Sequence, residues 1–473
     1  MNRAVFRGMT AGLLLLLLPV SMSWAQSAPA MSGKLSLEKG KAFDLGLRTD
    51  DFLFLPSLEL GWGYDSNLFY ANDDAYESPT PSQFLHVVPK MVVSNLNTKN
   101  VKLDFDGSAT VNYYIADSES VQDHNSLGGL VGASATFFND GPVSLQVRER
   151  FRRALDRRNE ESGQSFNQNL NRIGGGILFR PGGRSLEVKA DYDFMADYFT
   201  DPAADWGDVQ AHEMAVRANW KFFPFTALVL DSTWQFRDYL YEGDGYYGEL
   251  TDCAPFKIRV GVNGFITKKL AVMAMLGYGN SFHDERDETA AQAKGTPDAN
   301  SSFSGLLADA RVSYKLSPST LVQTGYSYDF SDSLFVNYVA YHEIFVDGQQ
   351  RVANIVDLGV TAAYRYMMYS QIPYKFLNND LGVGINGILN SGWDRRDQIV
   401  KLDATATVTI SRYLAFQAMY SAEFNNAFSE ASAFGTYYCQ SGKKDCKDND
   451  PTYREDIMAY TRHLLQGSFI VRY

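Results

Sequence analysis

Hydrophobic and polar residues alternate along long stretches of the chain. Between residues 101 and 115, apolar or small side chains such as Val101 and Leu103 occupy every second position, with polar ones such as Lys102 and Asp104 between them. A period of two predicts β-strands, because successive side chains of a strand point to opposite faces. Most such rows exceed the about five or six residues of a soluble strand and reach the about nine to eleven of a membrane strand. Similar rows recur at residues 143–147, 186–196, 402–410 and 414–424.

Short turn sequences and long polar segments separate these rows, and the two kinds alternate along the chain. The short ones are residues 139–141, 180–183, 223–224, 267–269, 317–319 and 411–412. The long ones are residues 65–81, 116–125, 157–165, 200–207, 242–254, 284–301, 331–351, 391–397 and 425–452. An outer-membrane barrel has short periplasmic turns and long extracellular loops. The pattern predicts an all-β transmembrane, antiparallel, up-and-down β-barrel of about eighteen strands, with about sixteen as the alternative, because the turn near 367–380 is placed only approximately.

The N-terminus predicts export. Residues 1–10 carry two arginines and no acid, and residues 11–20 form an apolar run built on consecutive leucines. Ser23 and Ala25 then place small side chains before Gln26, which is the order of a cleaved secretory signal. The predicted organisation is a signal peptide at 1–25, a short periplasmic N-terminal segment at 26–51 and an outer-membrane β-barrel at 52–473. Within the second segment, residues 35–47 are interpreted as a leader, with a lumen plug or a partner contact as the alternative.

Composition agrees with a barrel and excludes other classes. After residue 25 no apolar stretch approaches the about 20 residues of a membrane helix, so an inner-membrane helical protein is not expected. Aromatic residues make up 14% of the chain and glycine is abundant, although the mean hydropathy is only −0.24. The net charge of −12 argues against a nucleic-acid partner. The sequence therefore predicts a protein of the outer membrane of a Gram-negative bacterium.

The chain ends on an alternating row with an aromatic last residue. Leu465, Gly467, Phe469, Val471 and Tyr473 occupy every second position up to the terminus. This resembles the C-terminal signal read by the barrel assembly machinery. We therefore predict that Phe469, Val471 and Tyr473 form an assembly signal, with that machinery and outer-membrane lipid as partners.

Charged side chains occupy the face of several predicted strands that is opposite the apolar row. In the phase that turns Leu145 and Val147 toward lipid, these side chains face inward. The lumen-facing candidates are Lys102, Asp104, Asp106, Arg148, Arg150, Arg152, Glu187, Lys189, Asp191, Asp193, Glu213, Arg217 and Lys221. Weak contacts at many such sites suit conduction, because a tight site would trap the cargo. The alternative is that these charges only solvate the lumen and maintain its shape.

The sequence shows no arrangement typical of catalysis. The histidines are scattered without a metal-ligand spacing, and no G-x-S-x-G elbow occurs. His212 and His463 are interpreted as lumen or interface residues, and no enzyme, cofactor or metal is predicted. Cys439 and Cys446 share one external loop and are expected to form a disulfide in the oxidising envelope. Cys253 is left over, and a bridge from Cys253 to one of that pair is the alternative.

Residues 55–69, a proline-led strand that ends in Tyr64-Asp65-Ser66-Asn67-Leu68-Phe69, resemble the start of the β-barrel porin type 2 family. Residues 321–330, followed by Asn337-Tyr338 and Tyr341-His342, also fit that family, as do residues 393–397. The resemblance implies a channel that exports a surface polysaccharide cargo (exopolysaccharide or capsule) together with a periplasmic polysaccharide-export protein.

One departure from known exporters concerns the N-terminal region. The barrels of some polymer exporters follow a helical-repeat periplasmic region, and no 34-residue repeat is visible here. A periplasmic conduit would therefore have to come from another chain. From the residues alone, a general or substrate-selective diffusion porin is the alternative function, and a surface scaffold with a closed lumen is a weaker third one.

Overall fold

The structure is a computed structural model. It describes residues 46–70, 79–116, 118–122, 125–158, 165–182, 185–200, 207–240, 251–283, 302–333, 337–370, 394–430 and 459–473. The predicted signal peptide and the predicted disulfide pair, Cys439 and Cys446, lie outside these residues.

The described chain forms a single antiparallel sheet in which each long strand pairs with the next one along the chain. Its strands are β1 (Leu47–Arg48), β2 (Phe52–Asp65), β3 (Ser82–Asn95), β4 (Val101–Ile115), β5 (Ser126–Phe137), β6 (Val143–Arg158), β7 (Ser165–Phe179), β8 (Leu186–Phe199), β9 (Val209–Phe223), β10 (Thr226–Tyr239), β11 (Phe256–Thr267), β12 (Leu270–Asn280), β13 (Ser304–Ser317), β14 (Thr320–Asp332), β15 (Tyr338–Val352), β16 (Val356–Tyr369), β17 (Asp394–Thr409), β18 (Leu414–Glu430) and β19 (Tyr460–Arg472). One short helix, α1 (Glu119–Gln122), follows β4.

The sheet closes on itself, because β19 pairs back to β2. The closing register runs from Leu464 opposite Asp65 to Arg472 opposite Ser57. Strands β2 to β19 thus form an eighteen-stranded ring, and β1 adds two residues beside the start of β2. Closure leaves the ring without an open edge, so backbone polar groups are satisfied within the sheet. The predicted antiparallel barrel is confirmed, with eighteen strands rather than sixteen.

The outer face of the ring is apolar, and the inner face is polar. In β2 the exposed fractions of Leu60, Trp62 and Tyr64 are 45%, 43% and 37%, whereas Glu59 and Asp65 on the opposite face are 4% and 0% exposed. Comparable exposed aliphatic and aromatic side chains recur on every strand from β2 to β19. The exception is the first half of β7, where the polar residues Asn169 and Asn171 occupy outer positions. Among the described residues no helix is long and apolar enough to cross a bilayer.

Three predicted links differ from the structure. Residues 331–351 were expected to be one long external link, but most of them form β15. Its inner positions include Glu343 and Asp347. Because the inner face is charged, these residues resemble those of a loop in the sequence. Similarly, β18 continues to Glu430, and β17 begins at Asp394, inside the predicted link 391–397.

One tight turn was not anticipated from the sequence. Between Val352 and Val356, Ala353 and Asn354 adopt φ values of 50° and 57°, which gives the left-handed conformation of a short hairpin turn. Neither residue is a glycine, so the usual glycine signal for such a turn is missing.

Candidate functional site

The register of the sheet determines which side chains face the lumen, because residues paired across antiparallel strands point to the same face. Glu59 on β2 pairs with Val88 on β3, and such pairs can be followed from strand to strand around the same face. Farther along, Arg148 pairs with Ser134, and Asp193 pairs with Gly174. The outer positions beside them hold exposed apolar side chains such as Val147, which is 55% exposed. On this basis the inner face carries every predicted lumen candidate: Lys102, Asp104, Asp106, Arg148, Arg150, Arg152, Glu187, Lys189, Asp191, Asp193, Glu213, Arg217 and Lys221.

A charge network spans the inner wall from β6 to β8. Arg148 on β6 binds Asp193 on β8 through two hydrogen bonds, from Nε to Oδ1 at 3.0 Å and from Nη2 to Oδ2 at 2.6 Å. Its Nη1 also donates to Asp191 Oδ1 at 2.6 Å. Lys189 Nζ lies 3.0 Å from the same Asp191 oxygen. A bidentate guanidinium–carboxylate pair fixes both side chains in direction, so these charges are held rigidly against the wall.

Glycines on the intervening strand make this network possible. Gly174 on β7 lies between Arg148 and Asp193 in the register, and Gly176 lies between Gln146 and Asp191. A Cβ built at Gly174 would overlap the Asp193 carboxylate, and one at Gly176 would overlap that of Asp191. The arginine therefore crosses β7 over a strip of wall that has no side chain.

The network continues across β9 to β10. Arg172 Nη2 donates to Asp193 Oδ2 at 2.8 Å and also to Glu213. Glu213 in turn accepts from the amide of Gln235 on β10. In a separate pair, Arg217 Nε donates to Asp231 Oδ2 at 2.8 Å. The three carboxylates of the network (Asp191, Asp193 and Glu213) and its two arginines (Arg148 and Arg172) are thus paired in place, and they present fixed dipoles to the lumen.

Arg150 differs from these arginines because it is largely unneutralised. Its side chain is 59% exposed, and its nearest acidic group among the described residues is Asp106, 4.0 Å away across β5. Gly132 lies between the two, and a Cβ there would contact the Asp106 carboxylate. Among the other candidates, Lys102 pairs with Asp104 on its own strand, and Glu187 lies 4.0 Å from Arg180.

Several inner-wall pairs were not predicted from the sequence. Arg259 Nη2 donates to Asp329 Oδ2 at 2.6 Å, and Arg365 Nε donates to Glu343 Oε2 at 3.0 Å. At the closing seam, Arg462 binds Asp65 with both Nε and Nη2. The alternating pattern of each strand places these residues on the inner face. Which of them pair depends on the register between distant segments, and the sequence does not show that register.

The external mouth is narrowed on one side by α1. Val121 of this helix is 1% exposed and packs with Leu68, Phe84 and Tyr114. Phe84 and Tyr114 are paired on the lumen-facing side of β3 and β4, so the link after β4 folds inward over the rim. Most of the long predicted link 425–452 lies outside the described residues.

His212 and His463 lie on the outer face of the barrel. Of the two interpretations from the sequence, lumen residue or interface residue, this position agrees with the second. Both are hydrogen bonded to a tyrosine of the neighbouring strand, and a third pair has the same geometry. The Nδ1···OH distances are 2.7 Å for Tyr192–His212, 2.8 Å for Tyr326–His342 and 3.0 Å for Tyr420–His463. Tyrosine and histidine combine an apolar body with a polar tip, which suits a boundary between lipid and water.

The predicted assembly residues also lie on the outer face. Phe469, Val471 and Tyr473 are 51%, 45% and 59% exposed at the end of the chain. Phe469 packs against Phe416 with ring centroids 5.1 Å apart, and the backbone N–H of Tyr473 donates to Pro56 O at 3.2 Å. Their role in assembly remains a prediction.

A closed ring with an apolar outside and a charged inside matches only a bilayer as surrounding solvent, because a soluble protein does not expose a continuous apolar belt. The chain is a porin-type outer-membrane β-barrel. No family model matches it, and no curated protein matches it either. The β-barrel that the family resemblance implied is confirmed by the closed ring, whereas membership of that family and a role in polysaccharide secretion are not shown.

Solved outer-membrane barrels resemble the structure in part. OccAB3 of Acinetobacter baumannii has 10% identity and a TM-score of 0.44, covering 90% of this chain and 100% of that one. The outer membrane protein OpdK of Pseudomonas aeruginosa has 11% identity and a TM-score of 0.45, covering 89% and 99%. The siderophore receptor PirA of the same organism has 9% identity and a TM-score of 0.42, covering 89% and 80%. At these values the similarity does not identify a cargo.

Proposed function

We propose that the barrel is a selective diffusion channel for small hydrophilic solutes, with a preference for anions. The observation that carries this proposal is the exposure of Arg150 on the inner wall. The other inner-wall arginines from β6 to β10 form ion pairs with carboxylates or make further contacts. A permeating anion thus meets an accessible guanidinium at Arg150, beside arginines of the same wall that are neutralised by carboxylates.

This arrangement favours passage over retention. Neutralised pairs such as Arg148–Asp193 offer hydrogen-bond partners without a net charge, so they contact a solute weakly. A single exposed guanidinium in water attracts an anion by only about 1 kcal/mol at 4 Å. That energy biases entry without trapping the solute.

Polysaccharide export and a periplasmic export partner stay predictions that rest on the family resemblance. No contact among the described residues points to a long polymer. Substrate-selective diffusion is the function that the fixed, mixed-sign wall supports better, because a single accessible charge discriminates between small ions.

The test is a single substitution with a matched control on the same strand. Arg150→Ala removes the lumen-facing cation, and Arg153→Ala removes an exposed arginine from the outer face of β6. In planar bilayers under a salt gradient, Arg150→Ala should shift the reversal potential toward cations, and Arg153→Ala should leave it unchanged.

Two results would reject the proposal. One is a folded wild-type barrel that conducts no ions, which would support the closed scaffold. The other is a deletion strain that takes up small anions normally but has lost a surface polysaccharide, which would support export.

A further inference from the structure

We propose that the external rim of the barrel holds a zinc-class divalent metal ion between Cys253, His283 and Asp332. One ligand atom of each residue lies within 4.8 Å of those of the other two. The residues come from three separate places in the chain: the segment before β11, the segment after β12 and the end of β14. A thiolate, an imidazole and a carboxylate form a typical Zn²⁺ ligand set, with water in the fourth position.

The backbone holds two of these residues in adjacent positions. The backbone of Cys253 pairs in isolated antiparallel β-bridges with Arg237 at the end of β10 and with His283. Cys253 and His283 are therefore neighbours on one face of the sheet. The Arg237 N–H donates to Cys253 O at 2.9 Å. The sulfur is therefore positioned by main-chain hydrogen bonds rather than by a loop tip, and Cys253 is 4% exposed.

The third residue has an unused ligand atom. The Asp332 side chain is 7% exposed, and its Oδ2 lies 2.8 Å from Arg237 Nε. Its Oδ1 is buried and has no hydrogen-bond partner among the described residues. A buried carboxylate oxygen without a partner is costly, and coordination to a cation would satisfy it. This orphaned oxygen points to a ligand independently of the cysteine.

The surroundings are those of a metal ligand shell. His283 Nδ1 lies 2.9 Å from Ser281 Oγ, which itself accepts a hydrogen bond from the Phe303 N–H at 2.8 Å. With Nδ1–H donating to the serine, Nε2 is the ligand nitrogen. Arg237 orients Asp332 in the same way from the other side. Ligand atoms around tetrahedral zinc are about 3.5 Å apart, so metal binding requires the three groups, now within 4.8 Å of one another, to approach by up to about 1.3 Å.

Binding releases the Cys253 thiol proton to solvent, because the thiolate is the ligand. The ion then joins the ends of three strand segments at the mouth and fastens the rim there. This site was not predictable from the sequence, since the ligands are separated by 30 and 49 positions and follow no metal-ligand spacing.

The experiment uses the full-length folded barrel in detergent, with Cys439→Ser and Cys446→Ser to remove the other thiols. After chelation, Co²⁺ is added as the probe. We expect one ion per chain and a thiolate-to-cobalt charge-transfer absorption in the near ultraviolet, which Zn²⁺ abolishes. Cys253→Ser should eliminate the absorption, and His283→Ala should weaken Co²⁺ binding by about tenfold or more. His342→Ala, a histidine on the outer face, is the matched control and should bind normally.

A second measurement does not depend on a substituted chain. With all three ligands intact, Zn²⁺ should slow alkylation of Cys253 by about tenfold. The proposal is wrong if Co²⁺ binds equally to the Cys253→Ser variant, if alkylation is insensitive to Zn²⁺, or if the unmodified chain carries Cys253 in a disulfide with Cys439 or Cys446.

Discussion

Asp193→Asn is the most informative perturbation of the channel wall. The carboxylate is 1% exposed and accepts two hydrogen bonds from Arg148, at 3.0 and 2.6 Å, and one from Arg172 at 2.8 Å. The amide has nearly the same shape but no charge, and it turns an NH₂ group toward a guanidinium. The substitution therefore releases one positive charge into the lumen without removing volume.

Two magnitudes follow from this geometry. A hydrogen bond to a charged group contributes about 1.5–3 kcal/mol, but the arginine side chains are 24% and 41% exposed, so water compensates much of the loss. We expect a destabilisation of about 2 kcal/mol in total. The extra charge attracts an anion 5 Å away by about 0.8 kcal/mol in water and repels a cation equally. Each effect is roughly fourfold, so the anion-to-cation permeability ratio should rise by roughly sixteenfold at most.

The assay is the reversal potential of single channels in planar bilayers under a salt gradient. Low ionic strength is essential, because the screening length shrinks from about 30 Å at 0.01 M to about 3 Å at 1 M. Glu149→Gln is the matched control: it makes the same chemical change on β6, but Glu149 is exposed on the outer face. The control should leave selectivity unchanged.

The outcome that refutes the reasoning is a folded Asp193→Asn channel with wild-type selectivity at low salt. It would mean that permeating ions do not approach the wall between β6 and β8. A shift that persists undiminished in 1 M salt would also contradict a screened electrostatic cause.

Three further predictions concern other parts of the molecule. Gly174→Val should separate Arg148 from Asp193, since a Cβ there overlaps the carboxylate, and should lower the unfolding midpoint in urea. The matched control is Gly348→Val, because the nearest atom to a Cβ added at Gly348 is 3.9 Å away. Ala353→Gly should stabilise the barrel by about 1 kcal/mol, because φ of 50° is strained for a residue with a Cβ; the urea midpoint measures this, and a decrease would contradict it. Deleting residues 469–473 should sharply reduce the heat-modifiable form in outer-membrane fractions, whereas normal folding would show that the last strand carries no assembly signal.

The fold was predictable because a membrane barrel repeats its physical constraint in every strand. Lipid on one side and water on the other impose a period of two, so rows such as residues 101–115 indicate both the strand and its faces. The alternation of short and long links then gave the up-and-down order. The prediction was wrong at β15 because charged inner-face residues such as Glu343 and Asp347 resemble those of a loop.

The pairing within the lumen was not predictable in the same way. Arg148 reaches Asp193 only because Gly174 opposes both, and this depends on the register of three strands. The Gly174-Gly175-Gly176 run was the available signal, since glycine inside a strand often marks a close approach. Cys253, His283 and Asp332 come together through the pairing of strands β10 to β14, so their spacing in the sequence is uninformative.

The seam between β2 and β19 joins Asp65 to Leu464, the first and last parts of the ring to leave the ribosome. An early stop codon therefore does not yield a narrower pore. It yields an open sheet in which β2 pairs with β3 but lacks its other partner, β19, so that two unpaired edges remain and template aggregation. We expect truncated chains to be removed by envelope proteases, so that a cell carrying a frameshift lacks the channel completely.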